Sequence, residues 1–394
     1  MTAPFFIDLT HTSHTRARTG IQRVTRAILH TLGPQAHPVC HDPYQRSWRP
    51  LEDWETANMA DSTPSVGRGM RWPLQARIRG RLRRLLSARR RGSVLSGQGA
   101  FLEPEVFSAA VAASLPGFFE SVAGPRAALF HDAVALTHPE LTPPKSVARA
   151  PAYMRELAGF DGVAAVSQDS REKLIDYWRW LGLHDPPPVV TIPLGIDPPP
   201  ALQTRQPACP PVVLSVGTIE GRKNHIALIE ACESLWASGM QFELRLIGLA
   251  QQQTGAAALR RIGELQRAGR NLVYLGAADD TAREDAYSAC AFTVYPSLAE
   301  GFGLPVAESV ARGRSCICLG RGALAEIARG GGCLTVDPAN APNLAAAIEK
   351  LLSDPVKRTA LAADAKMRPV RTWSDYSRDL TAWIRDLPRR TSGP

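Results

Sequence analysis

The 394-residue sequence lacks any unbroken apolar run near the roughly 20 residues that a bilayer-crossing helix needs. Its opening, MTAPFFIDLT, has no basic stretch ahead of the short apolar run, so it reads as a first strand and not as a secretory leader. Cysteine is sparse and patternless. The seven, Cys40, Cys209, Cys232, Cys290, Cys316, Cys318 and Cys333, form no CxxC pair and stand in no His-rich ligand spacing. They are expected as reduced core residues of a cytoplasmic protein. No Asp-x-Asp occurs, so no carboxylate pair at that spacing is present to hold a divalent ion. Aromatics make up 7% of the chain and, Trp72 apart, none interleave with its most arginine-rich stretch, which argues against a stacking platform for nucleic acid.

What is present is globular: 44% of residues are apolar and 21% charged. Single cores stop growing beyond roughly 250 to 300 residues, so two domains are expected. The net charge of +9 points to an anionic partner, whether nucleic acid, a membrane face or a phosphate-bearing substrate, and says nothing of the fold.

Short β-branched runs alternate with helical patterns throughout, the rhythm of parallel sheets covered on both faces. Strands are expected at 4–10, 126–132, 162–167 and 189–195, then at 211–217, 242–248, 271–276, 292–297 and 315–320. Each half is read as a doubly wound sheet. Prolines crowd the stretch from Asp185 to Pro211, which places the boundary near residue 200, giving domains 1–200 and 201–372 with a last helix at 373–394. Residues 45–100 are expected to be irregular, apart from a basic segment, 68–91, in which Leu74, Ile78, Leu82, Leu85 and Leu86 recur at helical spacing. Its leucines either pack on the domain or face an anionic membrane, with nucleic acid a third reading.

Two strand-to-helix edges carry the chemistry. At Ser297-Leu-Ala-Glu300-Gly-Phe-Gly-Leu-Pro-Val-Ala-Glu308, Glu300 lies in a turn and Glu308 on the next helix. Gly301 and Gly303 let backbone approach a ligand, and Pro305 suits a first helical turn whose free N–H groups face outward. At Gly217-Thr218-Ile-Glu220-Gly-Arg222-Lys223-Asn224, glycine admits a ligand and two cations can neutralise a diphosphate at the start of a helix whose stripe is Ile226, Ile229, Cys232 and Trp236. In the first half, Gly20 opens a helix striped by Ile21, Val24, Ile28 and Leu32, and His131 ends a strand. Ser167 is read as a helix cap.

From residue 211 to about 355 the chain resembles the retaining glycosyltransferases of family 4, through the phosphate loop ending at Lys223, the Glu300/Glu308 pair followed by Ala311-Arg-Gly313, and the turn from Gly322 to Glu326. The resemblance implies a GT-B architecture: two Rossmann-like α/β domains of doubly wound parallel sheet facing a central cleft, with the last helix crossing back onto the first domain. It implies that Glu300 contacts the transferred sugar beside the amides of Phe302, Gly303 and Leu304, that Glu308 binds ribose hydroxyls, and that Lys223 holds the diphosphate. Gly217, Thr218 and Gly20 line the donor, and His131 meets the sugar. Many relatives carry Arg where Thr218 stands; Arg222 is expected to supply that guanidinium.

The implied activity is sugar transfer with retention and without a metal or other cofactor. The Gly-Thr-x-Glu-x-Arg-Lys-Asn loop is similar to that of relatives that build bacterial surface polysaccharides, some from GDP-mannose, with a glycan or lipid-linked glycan as acceptor. A UDP-sugar transferase, a phosphorylase or epimerase on the same architecture, and a non-catalytic nucleotide-sugar-binding protein remain as alternatives. The expected location is the cytoplasm, with peripheral contact at the inner membrane face through 68–91 as a further reading.

Overall fold

The computed structural model describes residues 4–17, 19–60, 69–87, 99–199 and 209–390. The expected boundary near residue 200 and the ends of the basic segment, 68 and 88–91, lie outside them.

A seven-stranded sheet occupies the first half: β1 (Phe5–Asp8), β2 (Ala36–Asp42), β3 (Ser47–Pro50), β4 (Ala100–Glu103), β5 (Arg126–Phe130), β6 (Gly162–Ala165) and β7 (Val189–Thr191). Their order is β3-β2-β1-β4-β5-β6-β7, parallel except where β2 meets β3. The second half holds β8 (Val212–Val216), β9 (Glu243–Ile247), β10 (Leu272–Tyr274), β11 (Phe292–Tyr295), β12 (Cys316–Leu319) and β13 (Cys333–Val336), parallel in the order β10-β9-β8-β11-β12-β13. Runs such as FFID, FTVY and CICL are buried at every residue, as strands covered by helices on both faces must be.

Chain order reverses between β1 and β4 in one sheet and between β8 and β11 in the other. At such a switch point the loops leaving the two strands diverge to opposite faces and open a crevice at the carboxyl edge. All the motifs singled out above lie on loops at these edges or on the helices that follow them.

The nine expected strands all contain observed strands; β2, β3, β4 and β13 had no counterpart. Among residues 45–100, those described are not irregular. They contribute β3, the helix Asp53–Ala60, the helix Leu74–Ser87 and the start of β4. Nor do the leucines of the basic helix pack on the domain. Ala76, Gly80 and the preceding Trp72 form the inward face, and Leu74, Ile78, Leu82, Leu85 and Leu86 are exposed. In the helix His225–Ala237, Ile226 is exposed while Leu228, Ile229, Cys232 and Trp236 are buried.

The helix Trp373–Asp386, started by a capping box of Thr372 and Asp375, buries Trp373, Tyr376, Leu380 and Ile384 in the same core as Phe5, Ile7, Val24 and Ile28 of the first half. The chain therefore crosses between halves twice. The crossings run side by side: Ile196 bridges Thr372 in parallel, its N–H donating to the Arg371 carbonyl at 3.0 Å, and Arg371 Nε donates to the Pro193 carbonyl at 2.8 Å.

Candidate active site

The loops after β8 and β11, neighbours across the second switch point, close on one another. The Leu298 N–H donates to the Arg222 carbonyl at 2.8 Å, and Asn224, the residue before the helix His225–Ala237, reaches the Pro296 and Ala339 carbonyls with its amide at 3.2 and 2.7 Å. Asn224 sits at φ 56°, a left-handed conformation that asparagine tolerates better than most residues.

These ties set Arg222 and Lys223 on a single carboxylate. Arg222 Nη1 lies 2.5 Å from one oxygen of Glu300, and Lys223 Nζ pairs with the other. Arg222 also reaches Glu220 at 2.9 Å. The Glu300 side chain is 8% exposed. Burial alone would raise its pKa, but Lys223 and Arg222 outweigh that, leaving it at about 2. The adjacent His225, fully enclosed and beside Lys223, is pushed down to about 3 and is neutral.

Glu300 is also where the two halves touch. A Cβ on Gly301 would collide with the His131 carbonyl oxygen, so only glycine lets the β11 loop lie against the end of β5. The Gly301 carbonyl accepts from Ser167 Oγ at 2.6 Å, and Ser170 Oγ donates to the His131 carbonyl at 2.9 Å. Ser167 is therefore both the cap read from sequence, accepting from the Ser170 N–H, and an interdomain donor. His131 is buried. Its Nε2 donates to the Pro104 carbonyl at 2.8 Å, and burial lowers its pKa, partly opposed by that bond and by Asp132.

Gly303, at φ 104°, immediately precedes the helix Leu304–Ala311, and the Leu324 side chain fills the space a Cβ would take. Phe302 packs on both domain cores, and Leu304 belongs to the first. Leu304 Cδ1 lies 3.9 Å from where a Gly20 Cβ would be, so the start of the first-domain helix Gly20–Leu32 abuts the start of this one. Gly217 and Thr218 follow β8, with the Gly217 N–H on the Ile247 carbonyl at 2.8 Å.

Glu308, 3% exposed, does not face the two cations. Its carboxylate pairs with Arg23 of the first domain, which also comes within 3.7 Å of Asp197. Sequence reading passed over Arg23, three residues beyond Gly20. It also missed what Glu326 does: its carboxylate accepts the Gln168 and Asp169 N–H groups at 3.0 and 2.8 Å, satisfying the first turn of the helix Gln168–Trp180 in the other domain.

The first switch point carries a buried acidic cluster that no motif announced. Glu105, just past β4, accepts from the His11 and Thr12 N–H groups at 2.9 and 3.2 Å and from the Thr12 hydroxyl. Burial and the neighbouring Asp8 raise its pKa to about 7. Asp8 and Glu103 hydrogen-bond to one another, and burial raises both. In the second sheet, Cys316, Cys318 and Cys333 bring their sulfurs within 4.8 Å of one another, because β12 and β13 pair Cys316 with Cys333 in register. All seven cysteines are free.

Residues 203–368 match the family model for glycosyl transferases group 1. The chain is 32% identical over 156 residues to an O-antigen chain mannosyltransferase B of Escherichia coli, covering 39% of this chain and 40% of that protein. It is 24% identical over 328 residues to a serotype-specific mannosyltransferase of Escherichia coli, covering 78% of this chain and 38% of the other. The matches thus span about two fifths of these relatives' lengths. Among solved structures, the Anabaena HepE protein in complex with UDP and glucose superposes with a TM-score of 0.70 at 15% identity, over 98% of this chain and 100% of that one. Sucrose-phosphate synthase of Thermosynechococcus elongatus gives 0.64 at 18% identity, over 98% and 99%. The architecture is the GT-B fold.

Proposed function

We propose that the chain transfers a hexosyl group, mannose from GDP-mannose being the first reading, to a glycan or lipid-linked glycan in bacterial surface polysaccharide synthesis, with retention and without a metal ion. The observation that carries this reading is the grip of Arg222 and Lys223 on Glu300 inside the group 1 domain. In such a transfer the bond from the anomeric carbon to the diphosphate oxygen breaks and its electron pair leaves with the nucleoside diphosphate. The acceptor oxygen bonds to that carbon on the same face, and its proton passes to the departing phosphate. The charge that develops must be met by fixed cations and amides. Arg222, Lys223 and the N-terminal ends of the helices His225–Ala237 and Leu304–Ala311 would meet a diphosphate bound between β8 and β11. Glu300 keeps the two cations oriented until the donor arrives and then faces the sugar. His131, neutral and held by its Nε2–H, offers Nδ1 to a sugar hydroxyl.

The relatives' printed names favour mannose; the solved neighbours that hold UDP favour a second reading, a UDP-sugar donor. Thermal shift against GDP, UDP, ADP and dTDP separates the two, since a ligand that binds the folded state raises its stability by mass action. Turnover of GDP-mannose with a glycan acceptor in EDTA, with the product's anomeric configuration read by NMR, tests the rest. Loss of turnover on chelation, or an inverted product, would overturn the metal-free retaining mechanism.

A further inference from the structure

We infer that the helix Leu74–Ser87 is a membrane-surface anchor that seats the first domain on a bilayer rich in anionic lipid. The inference is independent of the donor and of the chemistry proposed above.

Of the large apolar side chains that are exposed among the described residues, half fall between positions 70 and 86: Met70, Leu74, Ile78, Leu82, Leu85 and Leu86, from 44% to 80% exposed. Residues 69–87 also hold six arginines and no carboxylate. Scattered exposed leucines need no explanation, but a contiguous stripe of this size marks a contact surface.

The orientation of the helix is fixed by its other face. A Cβ on Gly80 would stand 2.8 Å from Tyr44 Cβ, so glycine lets the helix lie directly on that residue. Ala76 is buried beside it, and Trp72, ahead of the helix, stacks on His14 at 3.8 Å between ring centres. At 3.6 residues per turn, Leu74, Ile78, Leu82 and Leu85 then point directly away from the domain. Arg79 and Arg83 flank the stripe on one side, steadied by Glu52 at 3.2 and 2.6 Å. Arg77 and Arg81 flank it on the other, over the Tyr44 ring at 6.0 and 5.8 Å. An outward apolar stripe between two rows of guanidinium groups fits an interface where acyl chains lie below a plane of phosphates. A protein partner would need carboxylates on both sides of an apolar ridge at this spacing; a bilayer presents that arrangement everywhere.

The test is co-sedimentation of the full chain with vesicles of phosphatidylcholine alone and of phosphatidylcholine and phosphatidylglycerol in equal parts. Wild type should partition onto the anionic vesicles and weaken as salt rises. Leu82→Gln and Leu85→Gln should each lower partitioning about tenfold, and Arg81→Gln about fivefold. All three should keep the wild-type circular dichroism, melting temperature and thermal response to nucleotide. Equal binding to both vesicle types, or none to either, would overturn the inference. So would leucine variants that bind like wild type, which would mark a general polyanion site of the kind an oligonucleotide would occupy. A wild-type dimer in sedimentation velocity that Leu85→Gln dissociates would instead make the stripe a contact between two copies.

Discussion

Each domain places a buried glutamate just beyond the strand that flanks its switch point, and the two are opposites. Glu300 follows β11 with a lysine and an arginine on its oxygens and titrates at about 2. Glu105 follows β4 with Asp8 nearby and only amides and a hydroxyl on its oxygens, and titrates at about 7. Burial pushes both upward, so the difference of direction comes from the company each keeps. One edge sets two cations on a carboxylate that stays ionised; the other fixes the loop before Gly20 with a carboxyl that gains a proton near neutrality.

The sharpest way to break the contrast is to strip Glu300 of its cations. Lys223→Ala should lower kcat by about 10²- to 10³-fold, the scale for losing one stabilising donor, with a smaller change in melting temperature; an unchanged kcat would remove Lys223 from the reaction. Next comes the contact that joins the contrasting domains. Gly301→Ala thrusts a methyl at the His131 carbonyl, and turnover should fall at least about tenfold, with Gly159→Ala, where a Cβ meets nothing within 4 Å, as a comparison.

The pH dependence of stability should split the two glutamates. Glu300 is depressed below its ordinary 4.5, so the stability it lends is present above that value and is lost as pH falls toward about 2. Glu105 is raised, so its contribution is present below 4.5 and is lost as pH rises through about 7. Denaturant midpoints of Glu105→Gln should therefore flatten between pH 5 and 8 relative to wild type, leaving the acid limb alone. A parallel profile would refute the assignment. The smallest effect is expected at Arg23→Lys, which keeps the charge on Glu308 but loses the planar fork: donor KM should rise several-fold with kcat nearly constant.

The second domain was legible because its chemistry lies on consecutive residues. Arg222-Lys223 and Glu300-Gly301 each leave a strand end, and β8 and β11 are neighbours, so sequence position nearly determines spatial position. The first domain hid its strands: Ala36–Asp42 carries a proline and two histidines, and Ala100–Glu103 is four residues with no alternation. The Arg23–Glu308 pair spans 285 residues, and the acidic cluster joins Asp8 to Glu103 and Glu105, separations that no local pattern encodes. Ser167 shows the subtler gap. Its capping role was readable, but the same hydroxyl donates to Gly301 only because another domain arrives there.

The paired crossings at Ile196 and Thr372 have a mechanical corollary. Two covalent threads that leave one body at a shared point act as a single pin, so one half can swing against the other about that spot but can scarcely slide. A Cβ on Gly195 would strike the Thr372 backbone; a bulkier residue there would wedge the pin, and the lever arm would deliver that displacement, magnified, to Glu300 and His131.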